Sequence, residues 1–200
     1  MNKMDGDAIR KVRDSLGMSR DEFARVLEGI RRHDAAMRII NLTGGEPTQH
    51  HDLPGLVAQC HEAGFHRVTI STHGLAFIHD ESLLESLARS KARIVLSFNS
   101  FDEETNRRML GANVFKAKLK VLERLEQHDV DTTLIPVIGL GQNDHEIGDL
   151  IRFAFGKRFI RSLEIHTMTF TGQGGRDFEA KARITTPDVL RRIEQQTDGA

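Results

Sequence analysis

Apolar positions along this chain follow two rhythms that take turns. Phe23, Val26, Leu27 and Ile30 recur at helical spacing, and Ser19-Arg20-Asp21-Glu22 just ahead of them has the form of a capping box. A β-branched run follows at Arg38 to Leu42, then a second helical stripe of Leu53, Leu56, Val57 and Cys60, which Gly64 can close in a left-handed turn. The unit repeats. Strands are predicted at 67–72, 93–98, 132–138 and 162–170. Between them lie helices carrying Leu83, Leu84 and Leu87, then Phe115, Leu119, Leu122 and Leu125, then Ile147, Leu150, Ile151 and Ala154. A last helix opens at Thr186-Pro187, read as an N-cap followed by proline at the first helical position.

Strands at ~30-residue spacing, each followed by a helix, predict a parallel sheet with right-handed crossovers, an α/β fold. The strands are apolar along much of their length, which predicts cover on both faces. A doubly wound sheet and a partial (β/α) barrel fit this periodicity equally. The 200 residues suit one compact domain, with 1–37 as an N-terminal helical lead and 38–200 as the βα repeats.

Composition narrows the classes of partner. Formal net charge is -1, and basic residues form no long run, so neither nucleic acid nor a membrane surface is expected as the main partner. Trp and Tyr are absent, which removes two common stacking residues of nucleic-acid readers. The longest apolar stretch, Ile135 to Leu140 and its neighbours, is far short of the ~20 residues that span a bilayer. The opening MNKMDGDAIRKVRD lacks a signal-peptide core, so a cytoplasmic location is the default. Cys60 is the one cysteine, which excludes an internal disulfide and a thiolate metal cage within this chain.

Candidate chemistry gathers at the C-terminal ends of the predicted strands, where either architecture binds ligands. Those ends read Thr43-Gly44-Gly45-Glu46-Pro47-Thr48, Ser71-Thr72-His73-Gly74, Ser97-Phe98-Asn99-Ser100, Gly139 to Asp144, and His166 to Gly175. The opposite ends carry charged helix tails. Adjacent glycines let a ligand reach main-chain carbonyls, and a carboxylate beside them suits a cationic amine rather than a phosphate. A glycine turn with a solvated Glu46 fits the same spacing.

These segments together resemble the radical S-adenosylmethionine (radical SAM) superfamily. Gly44-Gly45-Glu46-Pro47 after a strand resembles the motif that holds the methionine amine, and Ile70 to Gly74 is similar to the usual Thr-Asn-Gly strand end. Val95 to Asp102, Gly111 with the Phe115 to Glu126 helix, and Ile138 to Asp144 match further segments in order, over roughly residues 20 to 195. Thr167 to Gly172 and Arg183-Ile184-Thr185 are similar to the branch of tetraether lipid synthase and a pterin methyltransferase.

The resemblance implies a partial β/α barrel, S-adenosylmethionine and, in full-length members, a [4Fe–4S] cluster held by CxxxCxxC, whose open iron chelates the methionine group. It also implies an electron donor and a small-molecule or lipid substrate from which a 5′-deoxyadenosyl radical abstracts hydrogen. By the same resemblance Gly44, Gly45 and Glu46 hold the amine, Pro47 fixes the turn, Thr72, Ser97 and Asn99 address carboxylate and ribose, and Ile138 with Asn143 the adenosine. His73 departs from the usual Asn. CxxxCxxC is missing from this sequence, so the expectation is a truncated core, lacking the first strand and cluster loop and inactive by itself. A cluster-less nucleoside-binding or interaction module is the alternative, and an ordinary β/α enzyme with Glu46 as general base is a third reading. Blander expectations accompany these: Cys60 as a core thiol, His50-His51 as a solvated turn, Gly172 to Arg176 as a substrate-side loop, and Lys116, Lys118 and Lys120 as a solvated helix face.

Overall fold

A computed structural model describes residues 17–169 and 183–199. Helix α1 (Arg20–His33) starts at the foreseen capping box, with the Ser19 hydroxyl and the Glu22 carboxylate each bonded to the other's backbone N–H. Strand β1 (Ile39–Leu42), helix α2 (Leu53–Glu62), β2 (Arg67–Thr72), α3 (Glu81–Arg89) and β3 (Arg93–Ser97) then alternate. Helix α4 (Glu103–Leu110), capped by Asp102, is an addition that the apolar pattern did not mark. Helix α5 (Phe115–Gln127) leads to β4 (Thr132–Ile135) and β5 (Val137–Ile138), followed by α6 (Ile147–Phe155), β6 (Ile160–Leu163), β7 (His166–Thr167) and α7 (Thr186–Gln196). Thr185, not Thr186, caps α7, in a capping box with Asp188.

The main sheet runs β1-β2-β3-β4-β6, every neighbour parallel. Strand order equals chain order, with no reversal. That excludes the doubly wound alternative, because right-handed crossovers between successive neighbours put every helix on one face, the geometry of a partial barrel. Pro136 splits the expected 132–138 strand, since its nitrogen has no hydrogen for the ladder. The pairing carries on beyond it: Glu164 N–H reaches Leu134 O, His166 N–H reaches Pro136 O, and β5 pairs with β7.

The core lies between the sheet and its helices, where Val68, Ile70, Ile94, Leu96 and Leu134 join Leu56, Val57, Leu84, Leu87, Val121 and Leu150. The opposite face corrects the expectation of strands covered on both sides. Burial alternates along β2 and β3, and the second face sets Asn41, Thr69, Ser71, Ser97, Thr133 and Ser162 among apolar Ile39, Val95 and Ile135. These side chains bond to one another across strands: Thr69 Oγ1 donates to Asn41 Oδ1 (2.9 Å), Asn41 Nδ2 donates to Ser71 Oγ (3.1 Å), and Thr133 and Ser162 hydroxyls lie 2.7 Å apart. The apolar appearance of the strands came from their helix-facing residues. The other face is mixed, with a band of hydroxyl and amide side chains among fewer apolar ones.

Among the described residues, β1 pairs on one side only, with β2. No helix among them is long and apolar enough to cross a membrane.

Candidate ligand site at the strand ends

Chain direction carries the ends of β1, β2 and β3 to one rim, and the loop after β1 is the most specialised part of it. Gly44 and Gly45 adopt φ of 104° and 45°, both in the left-handed half of backbone space. A methyl group added at either would meet nothing within 4 Å, so the backbone there stands open. Gly44→Ala is therefore expected to cost about 1 kcal/mol through backbone strain alone. Urea denaturation should show that loss with an unchanged m-value.

Glu46 follows as the cap of a short turn, Pro47–Gln49, with its side chain 9% exposed. Oε1 accepts from Thr48 N–H (3.0 Å), Thr48 Oγ1 (2.7 Å) and Thr72 Oγ1. Oε2 accepts from His73 N–H (2.9 Å) and faces His73 Nε2 at 3.1 Å. Burial pushes the carboxyl's pKa up, but the hydrogen bonds from Thr48, Thr72 and the His73 backbone outweigh it and leave it below the usual carboxylate value. Glu46 is thus a fixed anion that ties the β1 loop to the end of β2, and a merely solvated carboxylate is ruled out. His73 Nδ1 accepts from Leu75 N–H (3.1 Å), which leaves the ring hydrogen on Nε2, pointed at Glu46.

Beneath the rim sits a residue that the sequence reading placed in solvent. Lys118 is 4% exposed, while Leu119, expected on the apolar stripe, is 39% exposed. Its ammonium donates to His73 O (2.8 Å), Ser97 O (2.7 Å) and Ser97 Oγ (3.0 Å). Burial drops its pKa to about 8, with the Glu46 charge acting the other way. The spacing held a signal: at ~100° per residue, Lys116, Lys118 and Lys120 cannot share one solvated face, and Phe115, Val121, Leu122 and Leu125 centre their stripe on Lys118.

The remaining expected site residues divide. Thr72 is buried and engaged with Glu46, and Ser97 is exposed on the rim. Pro47 opens the turn after Glu46. Asn99 and Asn143 form a buried tie between β3 and β5: Asn99 Oδ1 accepts from Val137 N–H (3.0 Å), and Asn143 Nδ2 donates to Asn99 O (2.7 Å) and Val137 O (2.9 Å). Asn143 Oδ1 takes Gly139 N–H (2.9 Å), so both ends of that side chain are engaged. The Ile138 side chain lies wholly in the core. Gly172 to Arg176 lie outside the described residues.

His50 and His51 stack with ring centroids 4.7 Å apart, and His50 bridges Met18 O and Asp52 N–H. Among the described residues no group of His, Cys, Asp and Glu side chains could hold a metal ion. Cys60 is fully buried, and burial pushes its thiol up to about 12. A [4Fe–4S] cluster requires several accessible thiolates, so the residues present do not fit one.

A singly wound parallel β/α sheet with a fixed anion and open glycine backbone at its first strand end defines a partial barrel with a candidate ligand site at that rim. Residues 4–154 match the profile of the radical SAM superfamily, and the chain belongs to that family. It is similar to the 7,8-dihydro-6-hydroxymethylpterin dimethyltransferase of Methanocaldococcus jannaschii, with 30% identity over 181 residues, 90% of this chain and 36% of that protein. A GTP 3′,8-cyclase of Rhizobium etli is 33% identical over 125 residues, 60% of this chain and 35% of that protein. The solved structure of native anSMEcpe with bound AdoMet and the Kp18Cys peptide superposes with TM-score 0.67 at 14% identity, over 90% of this chain and 51% of that one. The chain therefore spans about a third of the length of these two curated relatives and half of the solved one. The family's chemistry is SAM-dependent radical chemistry, and a full-length member carries a [4Fe–4S] cluster.

Proposed function

We propose that this single domain is the S-adenosylmethionine-binding core of a radical enzyme, and that the chain alone binds the nucleoside without cleaving it. The observation that carries the reading is Glu46, held as an anion beside the open backbone of Gly44 and Gly45. An ammonium group entering there meets carbonyl oxygens and a fixed negative charge, whereas a phosphate meets repulsion. His73 Nε2 stands on Oε2 in the place an amine would take, and its side chain is 40% exposed, free to turn outward. Reductive cleavage needs the cluster, for which the one buried thiol is no ligand set, so no step through it follows. An electron donor belongs to the completed enzyme.

The second face supports a substrate class. Its hydroxyl and amide side chains, Asn41, Thr69, Ser71, Thr133 and Ser162, beside Val95 and Ile135, suit a small heterocycle with apolar faces and edges rich in donors and acceptors. A pterin or purine substrate, the kind that the names of the two curated relatives carry, agrees with that surface.

Titration calorimetry with S-adenosylmethionine tests the reading, with methionine and adenosine as controls. S-adenosylmethionine should bind more tightly than either half. His73→Asn should tighten it about threefold by removing a competing donor from Oε2. Absence of S-adenosylmethionine binding by the wild-type chain would overturn the reading.

A further inference from the structure

The register of the sheet lines up four residues of the second face in one row. Ser71 of β2 stands opposite Val95 of β3, Val95 opposite Thr133 of β4, and Thr133 opposite Ser162 of β6. At ~5 Å from strand to strand, Ser71 and Thr133 are about 10 Å apart with Val95 between them. Hydrogen bonds tie both ends of the row. Asn41 reaches in from β1, its Nδ2 3.1 Å and its Oδ1 3.2 Å from Ser71 Oγ. Thr69 Oγ1 donates to Asn41 Oδ1 at 2.9 Å, closer than to its other acceptor, Ile40 O, at 3.3 Å. At the far end the Thr133 and Ser162 hydroxyls share one hydrogen over 2.7 Å.

These bonds leave capacity unspent. Asn41 Nδ2 keeps at least one hydrogen, and whichever way the Ser71 hydroxyl turns, a lone pair stays open on Asn41 Oδ1 or on Ser71 Oγ. The Thr133–Ser162 pair keeps one hydroxyl hydrogen as well. The row therefore has an apolar floor, one wall that both gives and takes hydrogen bonds, and an opposite wall that gives one. It lies one residue short of Thr72, whose hydroxyl holds Glu46.

We infer that Asn41 selects the substrate, by pairing with the lactam edge of a flat heterocycle laid over Val95. A lactam sets a carbonyl beside a ring N–H, which meets the free N–H and the open lone pair of this wall. An amino group in place of that carbonyl would face the Asn41 amide with donor against donor. Thr69 is the positioning residue, because its bond to Oδ1 fixes which end of the amide donates. The inference rests on the small-heterocycle reading and goes beyond it, since it names the side chain that tells one heterocycle from another.

Titration calorimetry on the chain as it exists, with and without S-adenosylmethionine, tests this with 2-amino-4-oxopteridine and 2,4-diaminopteridine, which differ only at that edge. The wild type should prefer the oxo compound by about tenfold. Asn41→Asp accepts but cannot donate, so it should invert the preference. Thr69→Val frees the amide to turn over and should bring the two ligands within about twofold of each other. Asn41 is exposed and Asn41→Asp nearly isosteric, so that variant decides the question even where Thr69→Val folds poorly. A residue that merely braces β1 against β2 would weaken both ligands alike. Equal affinity of the wild type for the two pteridines, or an unchanged preference in Asn41→Asp, overturns the inference and leaves the heterocycle reading standing. A wild type that binds S-adenosylmethionine and neither pteridine overturns both of those and spares the S-adenosylmethionine site.

Discussion

Glu46→Ala is expected to lower the unfolding free energy by about 3 kcal/mol and to abolish S-adenosylmethionine binding. Five donors converge on its carboxylate, two of them backbone N–H groups and two hydroxyls from Thr48 and Thr72. A hydrogen bond to a charged group contributes about 1.5–3 kcal/mol, and donors left without an acceptor in a half-buried setting add desolvation costs. The sum is less than five such terms, because the His73 ring can turn to water and the hydroxyls can re-pair. Chemical denaturation gives the stability, and its pH dependence gives a second check. A folded-state pKa held below the ordinary 4.5 makes the carboxylate's contribution present above pH 4.5 and lost as pH falls through the folded value. The gap between wild type and Glu46→Ala should therefore narrow in acid below pH 4.5. A gap that is small at neutral pH, or constant down into acid, would contradict the geometry.

Lys118→Met gives the second large effect, with the same sign in pH but in an alkaline window. Burial holds the folded amine at about 8 against an ordinary 10.5, so between those values the unfolded chain binds more protons than the folded one. Stability contributed by this group therefore rises with pH through that window. Below pH 8 the ammonium is charged in both states, and the folded protein bears the full desolvation cost. Wild type minus Lys118→Met should become more favourable by about 3 kcal/mol between pH 7 and pH 10.5, at about 1.4 kcal/mol per pH unit of displacement. Cys60 works against this in the wild type, since its raised thiol favours unfolding above pH 9. The variant shares that term, so it cancels in the difference. A difference that stays flat across the window would mean the amine is solvated.

How the sequence announces this site depends on whether a residue's role is local. The spacing of Gly44-Gly45-Glu46-Pro47 fitted a solvated turn as well as a ligand loop, and the family resemblance singled it out, whereas the Ser19 box was legible because capping is a three-residue affair. The first four strand positions were legible from periodicity, whereas in place of the expected 162–170 strand stand two short ones, Ile160–Leu163 and His166–Thr167. Their order was not, since spacing is the same whether crossovers go one way or reverse. The polar band on the second face was hidden for a similar reason: Thr and Ser in Arg67 to Thr72 fit a strand as well as Val does, and only the registry across strands sets Asn41 beside Thr69 and Ser71. Lys118 was misread because lysines on helices are usually solvated, and its acceptors come from two strand ends 21 and 45 residues away. Asn143 was noticed for a ligand role, while its contacts are those of a brace between β3 and β5.

Glycine-selective 13C-carbonyl NMR during a titration with S-adenosylmethionine tests the central claim most directly. The loop carbonyls should receive the ligand's amine, so the Gly44 and Gly45 resonances should move and saturate together in the wild type and stay still in Glu46→Gln. Gly44 and Gly45 resonances that stay unmoved in the wild type while calorimetry shows S-adenosylmethionine bound would contradict it.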